Sequence, residues 1–369
     1  MGTPGGEPGA ISARGLSFRH RENGNRNSGT WKGIASLDLA VTPGEVIGVL
    51  GPNGSGKSTL LRLLSTDLRP DRGVLVLLGL PAVPPRPGLR RRIAFAPDAT
   101  HHLAALTGRE NLAFFRALRR RGQGGAAEDA RRLFEDLALG PDSDRRVSGY
   151  SFGMRRKLLL AQTLTSGADL LLLDEPAVGL DPPALEAVRE AIRERSHRGA
   201  AVIVATNELR DVPFWADRIH FLDRGREVAS GSPRALINRF EGHTRLCVTL
   251  GNSVAGPSGP GTAVAGTATG VDWAPHLPKL RQVPGIRSVR GERDHLEAES
   301  SARGAPLPSL LALLLEAGLE VRDVQVREPG LAEVFEELTG RAMRRDDGAH
   351  GIERYRTVKE IRRADGAPS

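Results

Sequence analysis

The chain has 369 residues, of which 39% are apolar and only 4% aromatic, and it carries a net charge of +8. That length allows two domains, or one large and one small, packed mainly by aliphatic side chains. The single cysteine, Cys247, excludes an internal disulfide and suits a reducing compartment. No apolar run approaches the ~20 residues of a membrane-spanning helix; Leu170–Leu173 and Leu310–Leu315 are far shorter. The first seven residues lack the charged-then-apolar pattern of a secretory leader. Any work at a membrane is therefore expected of a peripheral subunit. The basic balance admits contact with nucleic acid or an anionic lipid face. A solvated, arginine-rich surface is the simpler reading.

Residues 1–10 are rich in Gly and Pro and are expected to be disordered, and residues 21–30 read as an exposed loop. Short apolar runs between residues 31 and 80 suggest strands. The four prolines between Pro81 and Pro87 mark a connector. Residues 107–139 have helical spacing, with Thr107 as N-cap, Glu110 as its capping-box partner and Gly122–Gly125 as an interruption. Three apolar runs follow, Leu170–Asp174, Ala200–Thr206 and Arg218–Leu222, separated by helical segments; Asp223–Arg226 reads as a tight turn. This alternation predicts an α/β domain over residues 11–240 with a largely parallel sheet.

Composition changes after Phe240. Residues 251–270 are Gly, Ala, Ser, Thr and Pro without period, a flexible insertion. Around it the predicted order is strand (Arg245–Leu250), helix (His276–Arg281), strand (Ile286–Arg290), strand (His295–Glu299), helix (Pro308–Ala317) and strand (Leu319–Val326). That β-α-β-β-α-β order predicts a small α+β, ferredoxin-like domain, and with a last helix at Gly330–Leu338 the unit spans 241–342. Residues 343–369 read as a charged tail.

Three motifs carry chemistry. Gly51-Pro52-Asn53-Gly54-Ser55-Gly56-Lys57-Ser58-Thr59 follows the apolar run Val46–Leu50 and precedes a helical run. That is the strand–loop–helix setting of a phosphate-binding loop. Its glycines let several N–H groups converge on an anion, and the helix adds its positive end. Lys57 is expected to reach the β- and γ-phosphates and Ser58 to hold Mg²⁺. Leu170-Leu171-Leu172-Leu173-Asp174-Glu175 is a buried strand ending in two carboxylates. Asp174 is suited to Mg²⁺ and Glu175 to taking a proton from an attacking water. Tyr150–Lys157 opens a helix, and Ser151 with the backbone of Gly153 would form a second anion site. A second anion site is useful if it closes on the nucleotide of another subunit.

In order and spacing these motifs resemble the ATP-binding subunits of ABC transporters over roughly residues 11–240. Residues 150–154 resemble the family's signature motif in a Tyr-Ser-x-Gly-Met form, and Val178-Gly179-Leu180-Asp181-Pro182 resembles its dimer-contact loop. Arg327–Gly340 resembles the ending of multidrug and antibiotic exporter ATPases whose membrane part is a separate chain. The resemblance implies a P-loop ATPase core with a helical subdomain, binding ATP with Mg²⁺. It implies two ATPase subunits, as a homodimer or paired with a related ATPase, enclosing ATP between Lys57 and Ser58 of one and Ser151 and Gly153 of the other, with Asp181 at the contact. It places the contact with a transmembrane permease after Asp98, through about Phe115, at the cytoplasmic face of the membrane. Phe18 or His20 would stack on adenine.

Two positions depart from the family. Asp98 stands where members usually have Gln, and Asn207 where they usually have His. Asp98 can ligate the metal but adds negative charge near the γ-phosphate. Asn207 can donate a hydrogen bond but cannot carry a charge or shuttle a proton. Both imply slow hydrolysis. Two alternatives stand beside the exporter reading: a nucleotide-gated regulatory subunit or weaker half of an ATPase pair, favoured by Asp98 and Asn207, and a soluble ATPase acting on nucleic acid or ribosomes, suggested only by the basic charge. The single phosphate loop argues against the second, since such relatives usually fuse two ATPase domains.

Overall fold

The computed structural model describes residues 9–20, 32–84, 86–100, 102–119, 126–209, 212, 215–238, 244–250, 271–300, 306–327 and 330–340. The predicted loop at 21–30, the insertion 251–270, Gly122–Gly125 and the tail 343–369 lie outside the described residues. The larger unit contains strands β1 (Ile11–Arg19), β2 (Gly33–Val41), β3 (Val46–Leu50), β4 (Arg72–Leu77), β5 (Leu80–Pro81), β6 (Ile93–Ala96), β7 (Leu170–Asp174), β8 (Ala201–Thr206), β9 (Arg218–Asp223) and β10 (Arg226–Gly231). Its helices are α1 (Lys57–Leu64), α2 (Pro87–Arg90), α3 (Gly108–Arg119), α4 (Ala126–Asp136), α5 (Phe152–Leu164), α6 (Pro182–His197) and α7 (Pro233–Asn238).

The ten strands form one sheet in the order β5-β4-β1-β2-β10-β9-β3-β8-β7-β6. The stretch β9-β3-β8-β7-β6 is parallel. Its inner strands are buried on both faces, which is why they read as unbroken apolar runs. Alternate residues go to opposite cores. Leu171, Leu173, Val202 and Val204 join the cluster under α4, α5 and α6, while Leu170, Leu172, Ala201 and Ile203 join the one under α1 and β1.

Of the remaining pairs, β10 joins β2 in parallel through Arg226 and Ser36, and the others are antiparallel: β1 pairs with β2 and β4, β4 with β5, and β9 with β10. Two of these hairpins turn through residues with positive φ at both positions, Leu78-Gly79 (51° and 79°) and Arg224-Gly225 (48° and 75°). Such turns match the twist of paired strands. The expected parallel sheet is thus only half of the sheet. The Thr107–Glu110 capping box is formed: Thr107 N–H donates to Glu110 Oε2 at 2.8 Å, and Glu110 N–H to Thr107 Oγ1 at 3.2 Å.

The smaller unit has β11 (Thr244–Leu250), α8 (Leu277–Leu280), β12 (Ile286–Glu292), β13 (His295–Ser300), α9 (Leu307–Glu316) and β14 (Val321–Arg327). Its sheet runs β12-β13-β11-β14 with every neighbour antiparallel. This is the ferredoxin-like order. Leu280, Leu310 and Leu314 pack with Leu246, Val248 and Trp273 in a separate core. The last helix, α10 (Leu331–Thr339), does not join that core. Leu331, Val334 and Phe335 pack into the larger unit, with the Phe335 ring 5.5 Å from that of Phe221. The chain therefore returns to the first core after completing the second.

Candidate nucleotide-hydrolysis site

Sheet register assembles the site. Leu50 at the end of β3 pairs with Thr206 at the end of β8, and Asp174 at the end of β7 pairs with Ala205. The residues that follow each strand therefore meet at one carboxyl edge, where α/β sheets bind ligands. Between β3 and α1 the phosphate loop uses glycine for room and for backbone shape. A Cβ on Gly51 would lie 2.2 Å from the Leu222 carbonyl oxygen, and Gly54 and Gly56 have φ of +79° and +111°.

Lys57 is buried, and its Nζ donates to the Gly51 carbonyl at 2.7 Å and lies 3.5 Å from Glu175 Oε1. Burial lowers its pKa, opposed by the charge and hydrogen bond of Glu175 and the charge of Asp174. A cation held this way gains from an arriving phosphate. Asp174 is 2% exposed and its Oδ1 is buried without a hydrogen-bond partner. Burial raises its pKa; a hydrogen bond from Ser58 and the charge of Lys57 oppose that, while Glu175 and Asp98 add to it. An orphaned carboxylate oxygen beside a serine hydroxyl suits a hard cation. Among the described residues no group of three His, Cys, Asp or Glu side chains is placed to hold a metal ion. Mg²⁺ at such a site takes one or two protein groups plus phosphate oxygens, so the donor set fits Mg²⁺ bound together with a nucleotide.

Glu175 has φ of +48°, a left-handed conformation that few non-glycine residues adopt. Its N–H donates to the Ala205 carbonyl at 2.8 Å, and its Oε2 accepts from the Asn207 N–H at 3.1 Å. Asn207 thus touches Glu175 through its backbone. Asp98 follows β6, whose Ala96 pairs with Leu173, so it stands at the same edge; its side chain is exposed.

The two candidates for the adenine position differ. Phe18 is partly buried against the core under α1. The His20 ring lies edge-on to Phe18 at 4.9 Å, and its Nε2 is 3.0 Å from Thr59 Oγ1 on α1. Of the two rings, that of His20 is hydrogen-bonded to the phosphate-loop helix. Ser151 caps α5, accepting from the Met154 N–H at 3.2 Å, and a Cβ on Gly153 would sit 3.0 Å from the Gly179 carbonyl. Asp181 is engaged within its own subunit. Its Oδ1 caps α6 through Ala184 N–H at 3.0 Å, and its Oδ2 is 2.9 Å from Lys157 Nζ. Sequence reading passed over Arg156, whose guanidinium reaches the backbone of this site. Its signal was a charged residue on a helix face whose next positions, Leu159 and Leu160, are buried leucines.

A glycine loop, a buried lysine and an orphaned carboxylate at the edge of a parallel sheet define a P-loop nucleotide-binding protein. Residues 34–178 match the family described as "ABC transporter". A daunorubicin resistance ATP-binding protein, DrrA3, of Streptomyces coeruleorubidus is 36% identical over 86% of this chain and 95% of its own length. The Nod factor export ATP-binding protein I of Rhizobium meliloti is 32% identical over 84% of both chains. Two solved structures share the fold. The ATP-binding subunit of an ABC transporter has a TM-score of 0.56 at 23% identity, over 63% of this chain and 93% of that one. A dimeric ATP-binding cassette in a post-hydrolysis state with ADP and Pi has a TM-score of 0.54 at 20% identity, over 60% of this chain and 98% of that one. The chain belongs to the ABC transporter family, as one of its ATP-binding proteins.

Proposed function

We propose that this chain is the ATP-hydrolysing subunit of an exporter of small, drug- or antibiotic-like molecules, working through a separate membrane permease. The observation that carries the reading is the meeting of Lys57, Asp174 and Glu175 at one strand edge in a chain 36% identical to a daunorubicin resistance ATP-binding protein. Lys57 and the loop N–H groups hold the phosphates, Ser58 and Asp174 hold Mg²⁺, and Glu175 takes the proton of the attacking water. His20 stacks on adenine. Two copies, or one copy and a related ATPase, close so that Ser151 and Gly153 of one face the nucleotide of the other.

No described helix is long and apolar enough to cross a membrane. Leu103, Phe114 and Leu118 are 39%, 42% and 58% exposed. Phe114 and Leu118 lie four residues apart on α3 and so share one face. That apolar face supports docking on a permease at the cytoplasmic side of the membrane. Co-expressed with its permease, the chain should fractionate with the membrane, and without it remain in the soluble fraction. Full membrane recovery without any permease would instead point to lipid binding by basic residues.

A slower, regulatory version of the same reading is supported by Asp98 and Asn207. Asn207 offers a neutral donor where a charge-assisted bond would be about twice as strong, and Asp98 adds a negative charge near the γ-phosphate, so each departure is expected to cost roughly tenfold in rate, or ~1.4 kcal/mol. Asp98→Gln combined with Asn207→His should raise phosphate release at saturating Mg-ATP, with nucleotide affinity nearly unchanged. Equal or lower turnover would mean that the site is adapted to Asp and Asn.

A further inference from the structure

Among the described residues, Arg156 is the largest side chain with no exposed surface. It sits on α5, five residues after Ser151. Its Nη1 donates to the carbonyl oxygens of Pro97 at 2.6 Å and Asp98 at 3.2 Å. Its Nη2 donates to those of Asp174 and Glu175, the latter at 2.8 Å. All four acceptors are main-chain carbonyls at the carboxyl ends of β6 and β7. Burial lowers the pKa of this guanidinium, and the charges of Asp98, Asp174 and Glu175 partly oppose that. Burying a guanidinium is unfavourable unless its donors are used; here both Nη groups are used, while Nε is buried without a hydrogen-bond partner. Leucine serves the packing next to it on this helix face, at the buried Leu159 and Leu160 three and four residues on.

Two of the bonds fall on the carbonyls that flank a strained residue. Glu175 has φ of +48°, and strained backbone persists only where its surroundings over-determine it. Its N–H is fixed by Ala205 and its carboxylate by the Asn207 N–H. Its carbonyl and the one before it are fixed by Arg156. We propose that Arg156 is a positioning residue for ATP hydrolysis. By gripping the carbonyls of Asp174 and Glu175 it holds Glu175 in its left-handed conformation and aims the carboxylate. It also ties that geometry to α5, the helix capped by Ser151, so that nucleotide contact at Ser151 is felt by the Asp174–Glu175 backbone. The proposal rests on the reading of Glu175 as the general base.

A double-mutant cycle tests it, using single-turnover phosphate release per mole of bound fluorescent ATP analogue, which removes any inactive fraction. Arg156→Met should lower the rate by about tenfold or more, while affinity for the analogue, set at the phosphate loop, changes less than about twofold. In the Glu175→Gln background the same change should cost less than about twofold, because the carboxylate it aims is gone. Arg156→Lys, which keeps the charge and some donors, should fall between parent and Arg156→Met and supplies the measurement if the latter does not fold. An equal loss from the Arg156 substitution in both backgrounds overturns the positioning role and leaves Arg156 as structural cement. If Glu175→Gln hydrolyses like the parent, the base assignment falls instead, and the two failures are distinct.

Discussion

Glu175→Gln is expected to slow ATP hydrolysis by roughly 10²–10⁴-fold, the usual contribution of a general base. Nucleotide binding should survive. The substituted amide retains an oxygen that can accept from the Asn207 N–H, now 3.1 Å from Oε2. The left-handed backbone at +48° is restrained through main-chain groups that the change does not touch. The cation at Lys57 loses a carboxylate 3.5 Å away. It becomes freer to engage phosphate, which favours the ATP-bound state. The variant should therefore accumulate as an ATP-bound dimer, seen as an earlier peak in size-exclusion chromatography with Mg-ATP. Turnover equal to the parent would show that another group activates the water.

Lys57→Ala is expected to weaken Mg-ATP binding by roughly 10²-fold. Truncating one partner of a buried charge pair costs ~2–5 kcal/mol, and each 1.4 kcal/mol is about tenfold. Burial already holds the lysine's pKa down, so its charge is poorly solvated and its attraction to phosphate little screened. The loop's turns rest on Gly54 and Gly56 with positive φ, while the Gly51 carbonyl that the lysine now holds at 2.7 Å is released. Titration of the parent and variant with a fluorescent ATP analogue reads the effect. An affinity within about threefold of the parent, or ~0.7 kcal/mol, would remove Lys57 from the phosphate site.

Much of the larger unit was legible along the chain because its signals are local. Val46–Leu50 and Leu170–Asp174 are buried on both faces and so read as apolar runs. The antiparallel half was harder to read. Strand β1 mixes buried and exposed positions irregularly, and its pairing with β2 and β4 contains register shifts that blur any alternation. The small unit's strand and helix order was readable from turns and apolar periodicity. The destination of α10 was not, since helical spacing shows that a face is apolar without showing which core will bury it.

Sequence by itself determined the groups whose chemistry depends on consecutive residues. The phosphate loop is a backbone shape set by its own glycines, and Asp174-Glu175 is the end of one strand. Tertiary structure alone decided what meets across distance. It set the order β3-β8-β7 that brings Lys57 within 3.5 Å of Glu175. It put His20 rather than Phe18 on Thr59. It joined Asp181 to Lys157 within one subunit, and placed Arg156 under the carbonyls of two separate strands. These contacts depend on strand order and register, which arise from packing among elements far apart in the chain and leave no periodic trace in any one of them.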